Sequence, residues 1–550
     1  MSTSDEVCHK LKVLLQLSVS LYTFELVLCL YKLGQHQLSE SDEKLLLPLR
    51  PPKYSSYDMN RRCLPGTRVQ LIRDVMQWSL STDRDAGRLF CLHGVAGCGK
   101  SSVAASVASE LEHENVSSYS FFCKRDDPER RDPVRILHAI AYYLAKAVEP
   151  YSTALLRELR KDSTILDKPL QNQFNSLLVE RIKELPSSAS LGLVVFVIDA
   201  LDECEESDVI STFLMELVGL APWVKFIVTS RPLPGLHEKL ESAGRLTTSC
   251  DLFTISAEDD ILLYTKEQFK CDRRLAVLRE DIDSNDIEKL AQKALGLFIW
   301  ISVVCSYIGR LKLGKLAEFR RILNSKDASD PEKRLDELYL QVLRRAAGSD
   351  GTSINKYGVR IIVGLVNVTS RNRALPAGAL LAFRPDGLGS QAEWMDLLRD
   401  LGSVLTTDPQ TGTIRVSHES FLDFLGDESR AQEFWTEPNQ LERIVAERCM
   451  QIMLSELKFN ICGVQASEVP KDLKVDKHIP RELQYSSLYW LDHLSKCAPT
   501  CTTEERIQHL LRSIFCQAKA LYWLEALSLL SELKAACGIL QKFGDMLKVC

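Results

Sequence analysis

Apolar residues recur at two spacings along this chain, and the pattern changes near residue 256. Upstream, helical and extended runs alternate. "RVQLIRDVMQWSL" has helical spacing, "RLFCLH" is a short apolar run, "SSVAASVASELEHE" is helical again and "SSYSFFC" is strand-like. "PVRILHAIAYYLAKAV" predicts an apolar helix with Pro133 in its first turn. "LGLVVFVID" and "VKFIVTS" are continuous β-branched runs, the pattern of strands buried on both faces. Strands alternating with helices predict an α/β domain with a parallel sheet and helices on both faces.

Downstream, "EDDILLYTKEQF", "DIEKLAQKALGLFIWISVVCSYIG" and "RLDELYLQVLRRAA" read as helices. "SVLTTDPQTGTIRVSH", residues 403–418, places two short alternating runs around a Pro/Gly turn and predicts a β-hairpin. Helices before it and "ESFLDFL" after it suggest a winged helix-turn-helix. From about residue 430 every segment reads as helical. Residues 34–62 are polar and Pro-containing and read as a linker. The pattern therefore divides the chain into an N-terminal helix and linker (1–60), the α/β domain (61–256), a helical domain (257–330), a winged-helix domain (331–430) and an all-α C-terminal domain (431–550). No repeat of fixed period is visible. The last helix lacks an obvious polar cap, as a piece of a longer chain would.

Composition changes this picture little. Apolar content of 45% and charged content of 26% are ordinary for globular domains. A net charge of −6 offers no general attraction to nucleic acid or to an anionic membrane, so no nucleic-acid partner is expected. The 17 cysteines are scattered without a Cys-x-x-Cys pair, which predicts reduced thiols in a cytoplasmic protein and no zinc site. Residues 13–31 approach the length of a membrane span but contain Gln16 and Glu25. A packed or amphipathic helix is the expectation there, with a membrane anchor as the alternative.

The chemistry concentrates in "GVAGCGKSS". Gly94, Gly99, Lys100 and Ser101 fit Gly-x-x-x-x-Gly-Lys-[Ser/Thr], after a predicted strand and before a predicted helix. Gly94, Val95, Ala96, Gly97, Cys98 and Gly99 would turn backbone N–H groups toward phosphate oxygens, with Ser102 following in the first turn. Lys100 would reach the β- and γ-phosphates, and Ser101 would hold Mg²⁺. The motif needs a second carboxylate on a neighbouring strand, and Asp199 ends the most apolar strand. Asp202 or Glu203 would orient the attacking water, unless both belong only to the solvated acidic loop "DECEESD". Thr229, Ser230 and Arg231 close the next strand, where Arg231 could sense the γ-phosphate.

"CLPGTR", "GVAGCGKSS", "VVFVIDALDE", "FIVTSRP", "ALGLFIW", "VSHESFLDFL" and "YWLDHL" occur in one order. This order resembles the NACHT-type signal-transducing P-loop NTPases of fungi, relatives of Nod-like receptors that include nephrocystin-like N-terminal domain proteins. Ala200 after the metal Asp, followed by two acids, is the specific mark of that form. The resemblance covers residues 61–550 and implies nucleotide, helical and winged-helix domains closed over ADP. It implies that Gly66, Thr67 and Arg68 line the adenine pocket and that His418 contacts the β-phosphate of ADP. A plain helix-start role remains the other reading of His418. Many relatives carry Pro after a Gly of the helical domain; here Gly296-Leu297-Phe298 stands instead, and no contact is transferred. Many also continue into WD or other repeats, which this sequence does not contain.

The expected function is an ATP/ADP-binding switch of signal transduction, with slow ATPase activity and self-association on activation toward a signalling partner that the sequence does not identify. By resemblance its setting is fungal self/non-self recognition or regulated cell death. A scaffold with a structural nucleotide, or an ordinary P-loop ATPase, are the alternatives. The histidine-bearing third domain favours the switch, because it offers ADP a contact made only in the closed state.

Overall fold

A computed structural model describes residues 39–83, 87–114, 116–186, 191–232, 246–325, 329–348, 356–385, 387, 389–409, 411–463, 475–497 and 505–549. Residues 13–31 lie outside these. Among the described residues no helix is long and apolar enough to cross a membrane.

The α/β domain comprises α1 (Glu40–Leu46), α2 (Val69–Leu80), β1 (Leu89–His93), α3 (Lys100–Leu111), β2 (Ser117–Phe122), α4 (Pro133–Ala147), β3 (Val194–Asp199), α5 (Ser207–Leu220), β4 (Val224–Ser230) and β5 (Thr247–Asp251). The five strands form one sheet in the order β2-β3-β4-β1-β5, and every pairing is parallel. All residues of β3 and β4 are buried, which is why these strands carry no alternation. Their side chains still divide by parity. Val194, Phe196 and Ile198 join one core with α4 and α5, and Val195 and Val197 join the opposite core with α2 and α3.

Two expectations change here, and one strand went unread. The described part of the supposed linker is packed: Leu46 and Leu49 are fully buried in the α4–α5 core. The metal-strand candidate β3 is not beside β1, because β4 lies between them. Edge strand β5, with sequence TTSCD, has no apolar run and was not legible as a strand.

The helical part follows with α6 (Glu258–Cys271), α7 (Ser284–Lys293), α8 (Phe298–Arg310), α9 (Pro331–Ala346), α10 (Lys356–Ser370), α11 (Gln391–Asp400), β6 (Leu405–Thr407), β7 (Ile414–Val416), α12 (Glu419–Gly426), α13 (Pro438–Glu456) and α14 (Arg481–Ser495). The long apolar run read as one helix is broken between α7 and α8. Leu295 and Gly296 both adopt left-handed backbone, φ +47° and +86°, which stops the first helix. β6 and β7 pair antiparallel as the predicted wing. One continuous apolar core runs from α6 to the C-terminal helices. The helical segments thus share an interior distinct from the two cores of the sheet.

Candidate nucleotide-binding site

The C-terminal ends of the strands converge on one edge of the sheet. Register sets His93 opposite Ser230, and Phe122 opposite Asp199. Loops leaving this edge surround a cavity of about 420 Å³, and α8 and α12 close its other walls.

Gly99 caps α3 with φ +103°, and Gly97 has φ +83°, so the loop needs residues without a Cβ. At Gly97 there is a second reason. A Cβ there would lie 2.0 Å from Ile299 Cγ2, because the start of α8 presses on the loop. Ile299 N–H also donates to the Gly97 carbonyl at 3.3 Å. Ala96, Gly97, Gly99, Lys100, Ser101 and Ser102 line the cavity. Gly94, Val95 and Cys98 do not; Cys98 is buried and packs behind the loop. Lys100 Nζ donates to the carbonyls of Gly94 (2.7 Å) and Val95 (2.9 Å), which holds the ammonium over the loop.

Asp199 is buried at the same wall, and its Oδ1 accepts from Thr229 Oγ1 at 2.5 Å. Thr229 Oγ1 in turn accepts from the Ala200 N–H at 2.9 Å, so β4 orients the acid of β3. Ala200 is left-handed at φ +54°, where a small side chain is least strained. Burial raises the Asp199 carboxyl, while Thr229, Ser101 and the Lys100 charge oppose the rise. Ser101 and Asp199 supply two oxygen donors. That suits Mg²⁺, which takes few protein ligands and completes its shell with phosphate and water. Among the described residues no group of three or more His, Cys, Asp or Glu is arranged to hold a metal by itself.

The two acids after Asp199 separate in the structure. Asp202 lines the cavity and pairs with Arg231: its Oδ1 accepts the Arg231 N–H at 3.0 Å, and its Oδ2 lies 3.2 Å from Arg231 Nε. Glu203 Oε2 accepts the Arg125 N–H at 3.1 Å, and its carboxyl faces Glu419 of α12.

Of the segment expected to line an adenine pocket, Thr67 and Arg68 line the cavity and Gly66 does not. Arg68 is buried with φ +55°; its Nη2 donates to the Cys98 carbonyl at 3.3 Å, and its guanidinium lies 5.5 Å from the Phe298 ring centre. It braces the phosphate loop against α8.

His418 is the N-cap of α12 and also lines the cavity, so the two readings of it coexist. Nδ1 accepts the Ser420 N–H at 3.1 Å and sits 2.7 Å from Ser420 Oγ, which lies 2.8 Å from the Tyr339 hydroxyl. Accepting at Nδ1 places the proton of the neutral ring on Nε2. Among the described residues Nε2 has no hydrogen-bond partner. Burial, then the charges of Arg231, Lys100 and Arg61, lower the ring to about 3, so it is neutral at physiological pH.

Residues 66–231 match the family model described as nephrocystin 3, N-terminal. The wider chain is 26% identical over 530 residues to the vegetative incompatibility protein HET-E-1 of Podospora anserina, covering 89% of this chain and 37% of that protein. The chain thus spans well under half the length of this relative. Among solved structures, a Walker-type ATPase of Pyrococcus abyssi gives a TM-score of 0.30 at 16% identity, covering 69% of this chain and 99% of its own. The Aeropyrum pernix Orc1 protein in complex with DNA gives 0.26 at 14% identity, covering 71% and 95%. Both are too distant to bear on the site.

Sequence reasoning missed what α12 and the loop after β2 bring. Both carboxylate oxygens of Glu419 are buried without a hydrogen-bond partner. Asp423, one turn further on, binds Arg125 and Arg231. A usable signal was present: "CKRDDPERR" follows β2, and the strand-end rule places such a loop at the crevice.

A pH dependence follows from the acid pair. Burial and then Glu419 raise Glu203, and burial and then Asp126 raise Glu419. A raised carboxyl contributes stability that is complete below its unfolded value and is lost as pH rises through its folded value. Without nucleotide, the thermal midpoint of the wild type should therefore fall between about pH 4.5, the ordinary glutamate value, and about pH 8, and level off above that. Glu419→Gln, neutral throughout, should flatten that fall. Equal slopes for the two proteins in a differential scanning series would refute the buried pair.

Proposed function

We propose that the chain is an ATP/ADP-dependent switch of the NACHT type, held closed by ADP and opened, with self-association, by ATP. One observation carries this reading. His418 and Glu419 of the winged helix share a cavity with Lys100, Ser101 and Asp199 of the phosphate loop and its metal strand. A diphosphate bound there meets groups from both domains, so its binding free energy depends on their closure.

When bound, Mg²⁺ supplies charge that offsets the phosphates, with Ser101 and Asp199 as its protein donors. Lys100 neutralises phosphate charge, and His418 Nε2–H donates to an oxygen only while α12 is docked. Glu203, rather than the engaged Asp202, is the acid placed to position water, and hydrolysis is slow. The relative HET-E-1 is named for vegetative incompatibility. A role in self/non-self recognition is the corresponding proposal for this chain, with a cytoplasmic location and a signalling partner.

The test begins with the nucleotide content of the purified protein and its slow phosphate release. Bound ADP and release well below one per second support a switch, whereas fast multiple turnover supports an ordinary ATPase. Glu203→Gln should retain ATP and slow its hydrolysis by roughly a hundredfold, the scale of a general-base contribution. Asp202→Asn should instead loosen Arg231 and change nucleotide affinity more than turnover. The same turnover in Glu203→Gln as in wild type would remove Glu203 from the reaction.

A further inference from the structure

Asp423 joins segments that the sequence separates widely. Its Oδ1 accepts from Arg125 Nη1 at 3.2 Å, and its Oδ2 from Arg231 Nη1 at 2.5 Å. Arg125 leaves the end of β2 and Arg231 the end of β4, so the carboxylate of α12 clasps the two strands that flank β3. Arg231 is then doubly engaged, because Asp202 holds its Nε and its backbone N–H. Only a quarter of its side chain is exposed.

This changes the charge available at the cavity wall. Between two carboxylates the Arg231 charge is offset, with Nη1 donating to Asp423 and Nε lying against Asp202. The same helix also brings Glu419, whose oxygens are buried and unpartnered, against Glu203. Docking α12 therefore withdraws a cation and adds an acid beside the phosphate loop. Two phosphates can be served by Lys100, the loop amides and His418. A third brings further negative charge to a wall whose arginine is occupied.

We propose that Asp423 is a specificity-determining residue that makes the docked pocket prefer a diphosphate, by holding Arg231 away from a terminal phosphate. The assignment rests on the switch reading above. Arg125 is the lesser partner, since it is 41% exposed and its half of the clasp is screened by water. The two arginines thus offer an internal comparison.

Calorimetric affinities for ADP and for AMP-PNP, each with Mg²⁺, test this on the full chain. Asp423→Asn should shift the AMP-PNP to ADP affinity ratio about tenfold toward the triphosphate, the scale of one charge-assisted contact. In an Arg231→Gln background the same change at 423 should shift nothing. Arg125→Gln should move the ratio by no more than about twofold. Asp423→Glu should keep the wild-type ratio, and Asp423→Ser reads the same loss if the asparagine variant does not fold. An unchanged ratio in Asp423→Asn or Asp423→Ser would overturn the proposal. So would an equal shift in the Arg231→Gln background, which would mean that α12 merely packs. If wild type binds neither nucleotide, the switch reading itself falls. If nucleotide binding and His418→Ala behave as that reading requires while the ratio stays fixed, only the role of Asp423 falls.

Discussion

Lys100→Ala is expected to lower ADP affinity by roughly ten- to a hundredfold while leaving the fold intact. The side chain is only half-buried, and its ammonium donates to two loop carbonyls, at 2.7 and 2.9 Å. Those carbonyls keep other solvation routes when the lysine is lost, so the stability cost is small. A bound phosphate has no such substitute: a hydrogen bond to a charged group contributes about 1.5–3 kcal/mol, which gives the stated range. Titration calorimetry with ADP and Mg²⁺ measures the loss, and thermal unfolding without nucleotide checks the fold. Unchanged ADP affinity would mean that the cavity is not a phosphate site.

The second large effect is expected at His418. The ring caps α12 through Nδ1, with Ser420 and Tyr339 behind it, so Nε2 carries the proton. A neutral donor aimed at phosphate is insensitive to pH across the physiological range, because the ring titrates only near 3. Its depressed value makes its contribution complete above the ordinary histidine range and lost as pH falls through about 3. His418→Ala should speed ADP dissociation by roughly ten- to a hundredfold, since one charge-assisted bond is lost. The capping loss adds about 1 kcal/mol of helix destabilisation. His418→Asn separates the two roles. Asparagine caps as well as histidine but is shorter, so it should restore thermal stability without restoring slow ADP release. Restoration of both would reduce His418 to a helix cap.

How much of this was legible follows from which contacts are local. The phosphate loop is contiguous, so its glycines, Lys100 and Ser101 declare themselves within a few residues. Asp199 was legible because β3 is apolar throughout and ends in an acid. What the chain order hides is pairing. Nothing in the sequence says that β4 inserts between β1 and β3, although Thr229 then orients Asp199. The break between α7 and α8 depends on left-handed Leu295, a conformation that residue type does not announce. The same break puts Phe298 and Ile299 on the phosphate loop, where no contact was transferred from relatives. Arg231 and Asp202 were both expected to face nucleotide and water. Both line the cavity, but they also pair with each other, and Arg231 pairs with Asp423, 192 positions away. Residues 39–62 looked like a linker because their buried leucines are few and interrupted by proline, yet Asn60, Arg61 and Arg62 reach the cavity wall.

The central claim is that nucleotide state sets domain closure through α12. Light scattering of the purified full chain, first with ADP and then with AMP-PNP, tests it most directly, with His418→Ala run beside wild type. The account predicts a monomer mass for wild type in ADP, a slow rise in mass with AMP-PNP limited by ADP release, and a faster rise in His418→Ala. One unchanging mass for both proteins in both nucleotides, with equal ADP release rates, would contradict it.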